Sequence, residues 1–597
     1  MSDQRNLILA IVLSVAILLG FDLFINAPQR EREQARQQQL AEQAEQTAQS
    51  TSPGGSQTAA PSVPGAAPPA ATVPGALPIP GGGPAAAAVR AATLEKSPRV
   101  SVTTPSLLGS IAITGSRIDD LTLRGYHEEL DTASPEIVLL SPAGSAHPYY
   151  AEFGWAAIEA GIELPGPETP WQADRRELTP GSPLTLNWRN GQGLEFTRTI
   201  AVDRNYMFTV NQRVVNAGTK AVTLHPWGII ARTGTPDTLG FYILHEGLLG
   251  VFNETLKEVD YDELVDEETI EATSTGGWIG LTDKYWLAAL IPDQKEAIRA
   301  GFRHSLAEEK DKYQVDFLGA ARALVPGASI EVTSHFFAGA KQVQKLEGYQ
   351  EALGISRFDL VIDWGWFPFL TKPIFIAIDY FNRMLGNFGL AILLFTVLMR
   401  ILFFPLANKS FRSMGAMKKL QPEMVKMKER YGSDKAKLNQ AMMELYKKEK
   451  VNPMAGCLPI ALQIPVFFAL YKVLFVTIEM RHAPFYGWIH DLSAPDPTNF
   501  FTLLGLIPWD PPQFLHLGVW PLAMGISMFL QQKLNPPPAD PVQAKVFMML
   551  PIVFTFLLAN FPAGLVIYWT WNNILSMAQQ WVIQKRVGTA PAAGKKT

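Results

Sequence analysis

Residues 386–406 read GNFGLAILLFTVLMRILFFPL. The run suits a helix crossing a hydrocarbon core of roughly 30 Å, yet it carries an arginine, Arg400. A charge at the bilayer centre costs roughly 2.5–3.5 kcal/mol on insertion scales and more in simulations. Asn408 marks the polar end of the run, and Arg400 lies ~12 Å before it along a straight helix. Two readings are open. Arg400 snorkels to the headgroups on its long stem, or it faces a wet, protein-lined cavity with Thr396 one turn away on the same face. The remaining polar residues of the apolar runs favour the cavity.

Composition sets the class. The chain has 597 residues and a net charge of −4, which gives no sign of a nucleic-acid binder. Charges crowd into 30–50 and 405–450, and long apolar runs fill the C-terminal third. A single cysteine, Cys457, excludes an internal disulfide framework and any multi-cysteine metal site. The histidines are scattered, with no HExxH. These features describe a polytopic membrane protein with a large soluble insert.

Residues 7–25 (LILAIVLSVAILLGFDLFI) are long enough to span. A cleaved signal peptide competes, but no good small-x-small site follows, so an uncleaved anchor is expected. Residues 29–92 are Gln/Glu/Arg/Ala-rich and then Pro/Gly/Ala/Ser-rich, a composition that builds no core. From about residue 94 short alternating strands recur between turns, among them RVSVTT, LEFTRTIAV and YMFTVNQRVVN. That texture predicts a β-sandwich. His225, His245, Glu246 and Asp203 show no diagnostic spacing and read as ordinary polar residues; the acidic run 254–271 reads as a solvated loop or edge.

Residues 340–353 predict a short helix leaving the sandwich. In DWGWFPFLTKPIFIAIDYFNRMLG (363–386), Trp364, Trp366 and Phe367 suit a membrane interface. Pro373 opens a helix with Ile374, Phe375, Ile378 and Phe381 at helical spacing, expected to lie on the outer membrane surface; a buried helix packed on the sandwich is the competing reading. Further apolar runs cover 456–478, 516–532, 546–561 and 563–583, giving six spans with the anchor. Residues 405–453 hold twelve Lys/Arg, whereas 480–515 hold only Arg481. The positive-inside rule then places the 405–453 loop, both termini and the tail basic residues Lys585, Arg586, Lys595 and Lys596 in the cytoplasm, with the sandwich outside.

The basic loop predicts two helices broken at 431–433. Met414, Met417, Leu420, Met424 and Met427 lie near one face of the first, with Lys418 and Lys419 beside them. Adaptable methionine surfaces suit varied apolar partners, and the charge suits anionic lipid or ribosomal RNA; a self-packed hairpin needs neither. Gln463 sits in the third span. Trp569, Asn572, Ser576 and Gln579 follow at steps of three and four in the last, sharing a helix face that can meet Thr396 and Arg400. Plain helix–helix hydrogen bonding is the competing reading.

The segments NKSFRSMGAMKKLQPEMVKMKERYG, MMELYKKEKVNPMAGCLPIALQIPVFFALYKVL, RHAPFYGWIHDLSAPDP and FPAGLVIYWTWNNILSMAQQ resemble the YidC/Oxa/Alb family of membrane protein insertases from about residue 363 to the end. The anchor, tether and outer β-domain resemble its Gram-negative form. The resemblance implies a six-span helical bundle with a periplasmic β-supersandwich akin to sugar-mutarotase folds, in the bacterial inner membrane. Its expected boundaries are an anchor (1–27), a disordered tether (28–93), the β-domain (94–340), a linker and interfacial helix (341–386), the second span (387–407), a cytoplasmic hairpin (408–453), spans three to six (454–584) and a basic tail (585–597).

It further implies insertion and folding of inner-membrane proteins through a hydrophilic groove. The family's groove arginine, threonine and glutamine fall on Arg400, Thr396 and Gln463. Its tyrosine pair is Tyr568-Trp569 here, so Trp569 carries over only as an apolar contact. Implied partners are nascent membrane proteins, the Sec translocon (SecYEG, SecDF), the ribosome and signal recognition pathway, and anionic lipid. No catalytic residue, cofactor, metal or small-molecule substrate is implied. The alternative from the residues alone is a polytopic transporter binding an anionic solute at Arg400, although no inverted repeat is visible.

Overall fold

The computed structural model describes residues 84–588, except 239–243, 308, 366, 432–433, 450, 452–457, 504–505, 508, 510, 513–514 and 536–540. The expected anchor, nearly all of the tether, Trp366 and Cys457 lie outside the described residues. The chain divides into two compact units, with 421–451 in one and the rest of the described residues in the other.

Two large, almost wholly antiparallel sheets build the β-domain, as its alternation predicts. One has eleven strands, with Val222–Thr233 between Tyr149–Ala157 and Lys310–Gly319; the other has nine, with Met207–Asn216 between Leu194–Val202 and Ser329–Ala340. Period-2 patterning decides which side chains face the core. In Leu194–Val202, Leu194, Phe196, Arg198, Ile200 and Val202 all point inward. Arg198 is the exception in chemistry. Its guanidinium lies 4.8 Å from the Trp171 ring centroid and donates to Phe153 O (2.5 Å) and Gln212 Oε1 (3.2 Å), tying the sheets together.

Some expectations need correction. Helix α1 (Pro84–Leu94) occupies the end of the expected tether, because AAAAVRAATL is dominated by the strongest helix former. Its Arg90 pairs with Asp120. The acidic run, read as a solvated loop or edge, does lie at sheet edges: Thr255–Val259 is the outer strand of one sheet and Thr269–Thr275, which the run enters, the outer strand of the other, and the addition is helix α2 (Tyr261–Glu267) between them. Burial of Tyr261 and Leu264 holds α2 down.

Helix α3 (Val343–Leu353) leaves the sandwich as expected, and Tyr349 Oη donates to Asp203 Oδ2 at 2.5 Å. Helix α4 (Pro368–Leu385) starts five residues before the expected Pro373, with Pro368 in its first turn, where a missing N–H costs nothing. Its Ile374, Phe375 and Ile378 face is buried by packing on α5 (Phe388–Leu402) and α8 (Leu458–Val476). The exposed stripe is instead Phe369, Ile376, Tyr380 and Met384. Trp364, expected at the interface, is buried against Phe375. Gly386, at φ +69°, ends α4 in a left-handed turn, and the Asn387 side chain caps α5 from Leu390 N at 3.0 Å.

The second span is not one straight helix. α5 stops at Leu402, and the Phe404–Met417 part of α6 (Phe404–Tyr431) runs at 68° to it. Pro405 supplies the cause, since its nitrogen cannot bond back to Ile401 and its ring crowds the preceding turn. Arg400 therefore sits in the last turn before a corner. Among the described residues no single helix is long and apolar enough to cross a membrane, and this bent pair alone qualifies by length and composition. The other expected spans coincide with α8, α9 (Val519–Leu534), α10 (Pro541–Leu557) and α11 (Ala563–Gly588). Helix α7 (Lys435–Lys448) follows the expected break after Tyr431, and Asp434 caps it through Ala436 N and Lys437 N.

A continuous apolar core runs from the sandwich through α3 and α4 into α5, α8 and α11. Polar groups lock the junction. Lys472 Nζ meets Asp363 Oδ2 at 2.6 Å, and Arg481 Nη2 donates to His127 O at 2.6 Å. Val343 N donates to Glu479 Oε1 at 3.1 Å, while Glu479 Oε2 is buried without a partner among the described residues. Burial pushes the Glu479 carboxyl up to about 7.

Candidate functional site

The site lies where α5, α6, α8 and α11 converge. Thr396, Met399, Arg400, Phe403, Leu406, Ala407, Gln463, Val466, Tyr568 and Asn572 line a cavity of about 30 Å³. That volume admits ordered water but no peptide. Of the residues expected in a groove, Arg400, Thr396, Gln463 and Asn572 meet here.

Arg400 is held by α11. Its Nε donates to Asn572 Oδ1 at 2.9 Å, and its Nη2 donates to the same oxygen at 2.6 Å and to Asn572 O at 3.2 Å. Among the described residues no carboxylate pairs with it. An arginine presents five donors, so the neutral amide leaves both charge and donors available. Thr396 Oγ1 is tied back to Ile392 O at 2.7 Å, and the residue is buried. It shapes the wall and offers its methyl side. Gln463 Nε2 donates to Tyr568 Oη across the cavity.

The other three expected positions lie elsewhere. Trp569 turns away from the cavity, its ring 4.6 Å from that of Phe467 and 5.7 Å from that of Phe554. Ser576 Oγ donates back to Asn572 O at 2.7 Å, bracing that carbonyl from below. Both polar atoms of the Gln579 amide are buried without a partner among the described residues. Tyr568 was missed as a wall residue, although it stands four residues before Asn572 and so shares its face. Asn573 points to the opposite side, where Nδ2 donates to Ser527 Oγ at 2.9 Å.

The methionine surface divides. Met414 is buried with Ala407, Phe411 and Ile583, so it packs α6 against α11 rather than facing a client. Met417 is half-buried and Lys419 exposed, and the Lys418 side chain lies outside the described set. In the smaller unit Met424 and Met427 are half-buried, and Tyr446 Oη approaches Met424 Sδ at 3.7 Å. Among the described residues no group of three or more His, Cys, Asp or Glu is placed to hold a metal ion.

Two family models match in tandem. Residues 99–377 match the YidC periplasmic domain, and residues 380–590 match the 60Kd inner membrane protein family. The chain is 53% identical to the membrane protein insertase YidC of Methylobacterium sp. (strain 4-46), over 98% of this chain and 96% of the relative. It is 49% identical to the membrane protein insertase YidC of Bradyrhizobium diazoefficiens, over 98% and 97%. A crystal structure of an active YidC insertase, with its first transmembrane domain resolved, aligns at 16% identity and a TM-score of 0.35, covering 81% of this chain and 92% of that one.

Proposed function

The chain belongs to the YidC family of membrane protein insertases, and from that premise we propose that it inserts and helps fold inner-membrane proteins at the Arg400 cavity. The observation that carries the site is an arginine at the end of an apolar helix whose only hydrogen-bond partner among the described residues is the neutral Asn572. Such a cation attracts acidic residues of an entering client and satisfies them with a planar donor set. A polar segment that enters partway in water has less hydrocarbon left to cross.

The cavity is too small for a chain as it stands, so a client must part α5 from α8 or α11. Its apolar segment then moves along α8 and α11 into lipid. Burial at about 25 cal/mol per Å² supplies the driving force without a nucleotide. The reading includes six spans, cytoplasmic termini and a periplasmic sandwich, supported by the distribution of Lys and Arg. It also includes the Sec translocon, the ribosome and anionic lipid as partners, the last two through the basic surface around Lys419.

The test places a photocrosslinking amino acid at Met399, on the cavity wall, or at its neighbour Leu398, which is exposed. Ribosome-bound nascent chains of a small single-span client are presented to membranes containing each variant. The proposal expects crosslinks from Met399 only while the client span emerges. Crosslinks from Leu398 without any from Met399 would mean that clients bypass the cavity.

A further inference from the structure

The loop between α8 and α9 bears a second surface, remote in sequence from Arg400. From residue 497 to residue 532 the only charged side chain is Asp510. Within that stretch Phe500, Leu503, Leu506, Ile507 and Trp509 are all exposed, Leu506 at 84%. An extramembrane loop ordinarily presents polar side chains to water, and clustered exposed apolar side chains mark an interaction surface.

Several main-chain bonds close within the same segment. Phe500 N donates to Leu517 O (2.8 Å), Leu503 N to Phe500 O (3.0 Å), Ile507 N to Thr502 O (3.0 Å) and Trp509 N to Ile507 O (2.8 Å). Leu503 adopts φ +47° to make the turn, a conformation a leucine seldom takes. These bonds tie back part of the backbone among the described residues while the apolar side chains stay exposed, the combination a hydrocarbon boundary favours.

Asp496 fixes its base. Oδ2 accepts from Trp520 N at 2.8 Å, in the first turn of α9, and Oδ1 accepts from Trp488 Nε1 at 3.1 Å and Thr498 N at 3.0 Å. The turn therefore leads directly into α9, whose Ile526, Phe529 and Leu530 are exposed. In a chain of an inner-membrane family that face of α9 meets lipid, and the turn continues it. Trp488, with its indole N–H satisfied and its ring 42% exposed, is the residue type that sits at headgroup level.

We propose that this turn is embedded in the headgroup–acyl boundary of the bilayer, at the end of the bundle that meets the sandwich, and anchors α8 and α9 there. The occupant is lipid. The exposed side chains described on this surface, Phe500, Leu503, Leu506, Ile507 and Trp509, carry no charge with which to bind an ionic partner.

The test uses the full-length protein in phosphatidylcholine proteoliposomes with Cys457→Ser. The environment-sensitive fluorophore NBD is attached at Leu506→Cys or, separately, at Trp509→Cys. A label at Leu306→Cys, on a 71% exposed position of the sandwich, gives the aqueous reference. The expected result is blue-shifted emission at both loop positions, loss of most iodide quenching relative to the reference, and strong quenching by nitroxide-bearing lipid. Iodide quenching equal to the reference overturns the proposal. So does shielding from both quenchers, which would place the turn against protein. Client insertion by the same vesicles is scored separately, so failure of the loop reading leaves the groove reading intact, and the converse holds.

Discussion

The Asn572 side-chain oxygen accepts two hydrogen bonds from one guanidinium, at 2.9 Å from Arg400 Nε and 2.6 Å from Nη2. A client carboxylate would make the same pair of bonds with a full negative charge. Asn572 therefore acts as a neutral place-holder for the client in the proposed function.

Substituting Asn572→Asp converts the place-holder into a permanent counter-ion. Charge-assisted pairs are roughly twice as strong as neutral ones, so the internal carboxylate outcompetes an entering one. Insertion of a client with acidic residues in its translocated segment should fall severalfold, while Asn572→Ser retains activity. Protease protection of the inserted client measures both. Full activity in Asn572→Asp would remove Arg400 from client contact.

Trp569→Ala should act through stability rather than client recognition. The half-buried ring packs at the junction of α8, α10 and α11; truncating a fully buried aromatic costs about 3–5 kcal/mol, so the loss here is a fraction of that. The variant should melt at lower temperature in detergent, and insertion of every client should decline in parallel. A photocrosslinker placed at Trp569 should capture no client.

Glu479 predicts a pH dependence at the domain junction. Burial raises its folded pKa to about 7 from the ordinary 4.5. An acid with a raised folded pKa contributes full stability below its unfolded value and loses it as pH rises through the folded value. The melting temperature of the parent should therefore fall between about pH 5 and about pH 8. Glu479→Gln, neutral throughout, should show a smaller fall. Equal slopes for the two would mean that other groups set the dependence.

The Lys472–Asp363 pair links the outer part of α8 to the start of the segment leading into α4. Lys472 is almost fully buried, so Asp363→Asn removes its closest carboxylate and should destabilise, by less than the about 3–5 kcal/mol of a buried pair wholly broken because Glu258 still acts on the charge. Pairing it with Lys472→Met should recover most of the loss. Thermal melting of the single and double variants gives the coupling directly; simple additivity would show that the pair acts independently.

Much of this was legible in the sequence, for reasons that differ from site to site. The sandwich declared itself because alternation in strands such as Leu194–Val202 has a period no helix shares. Arg400, Thr396 and Asn572 were legible because helical spacing fixes which residues share a face. Choosing Trp569 over Tyr568 was an error of one position, about 100° around α11, and it exchanged a wall residue for a packing one. The packed and exposed faces of α4 were interchanged because both are apolar, and only the neighbours α5 and α8 decide between them. The Lys472–Asp363 pair joins residues far apart in sequence, and no local pattern announces such a contact.

The corner at Phe403 separates the helix that carries Arg400 from the one that follows it. Upstream of it, Arg400 is clamped to α11, which itself packs on α5, α8 and α9. Downstream, Phe404–Met417 runs at 68° to α5. The change of direction falls after the cation, so the placing of Arg400 is set by α5 and its grip on α11 and not by the course of the helix that follows. A substitution that straightened the corner would make the two depend on each other.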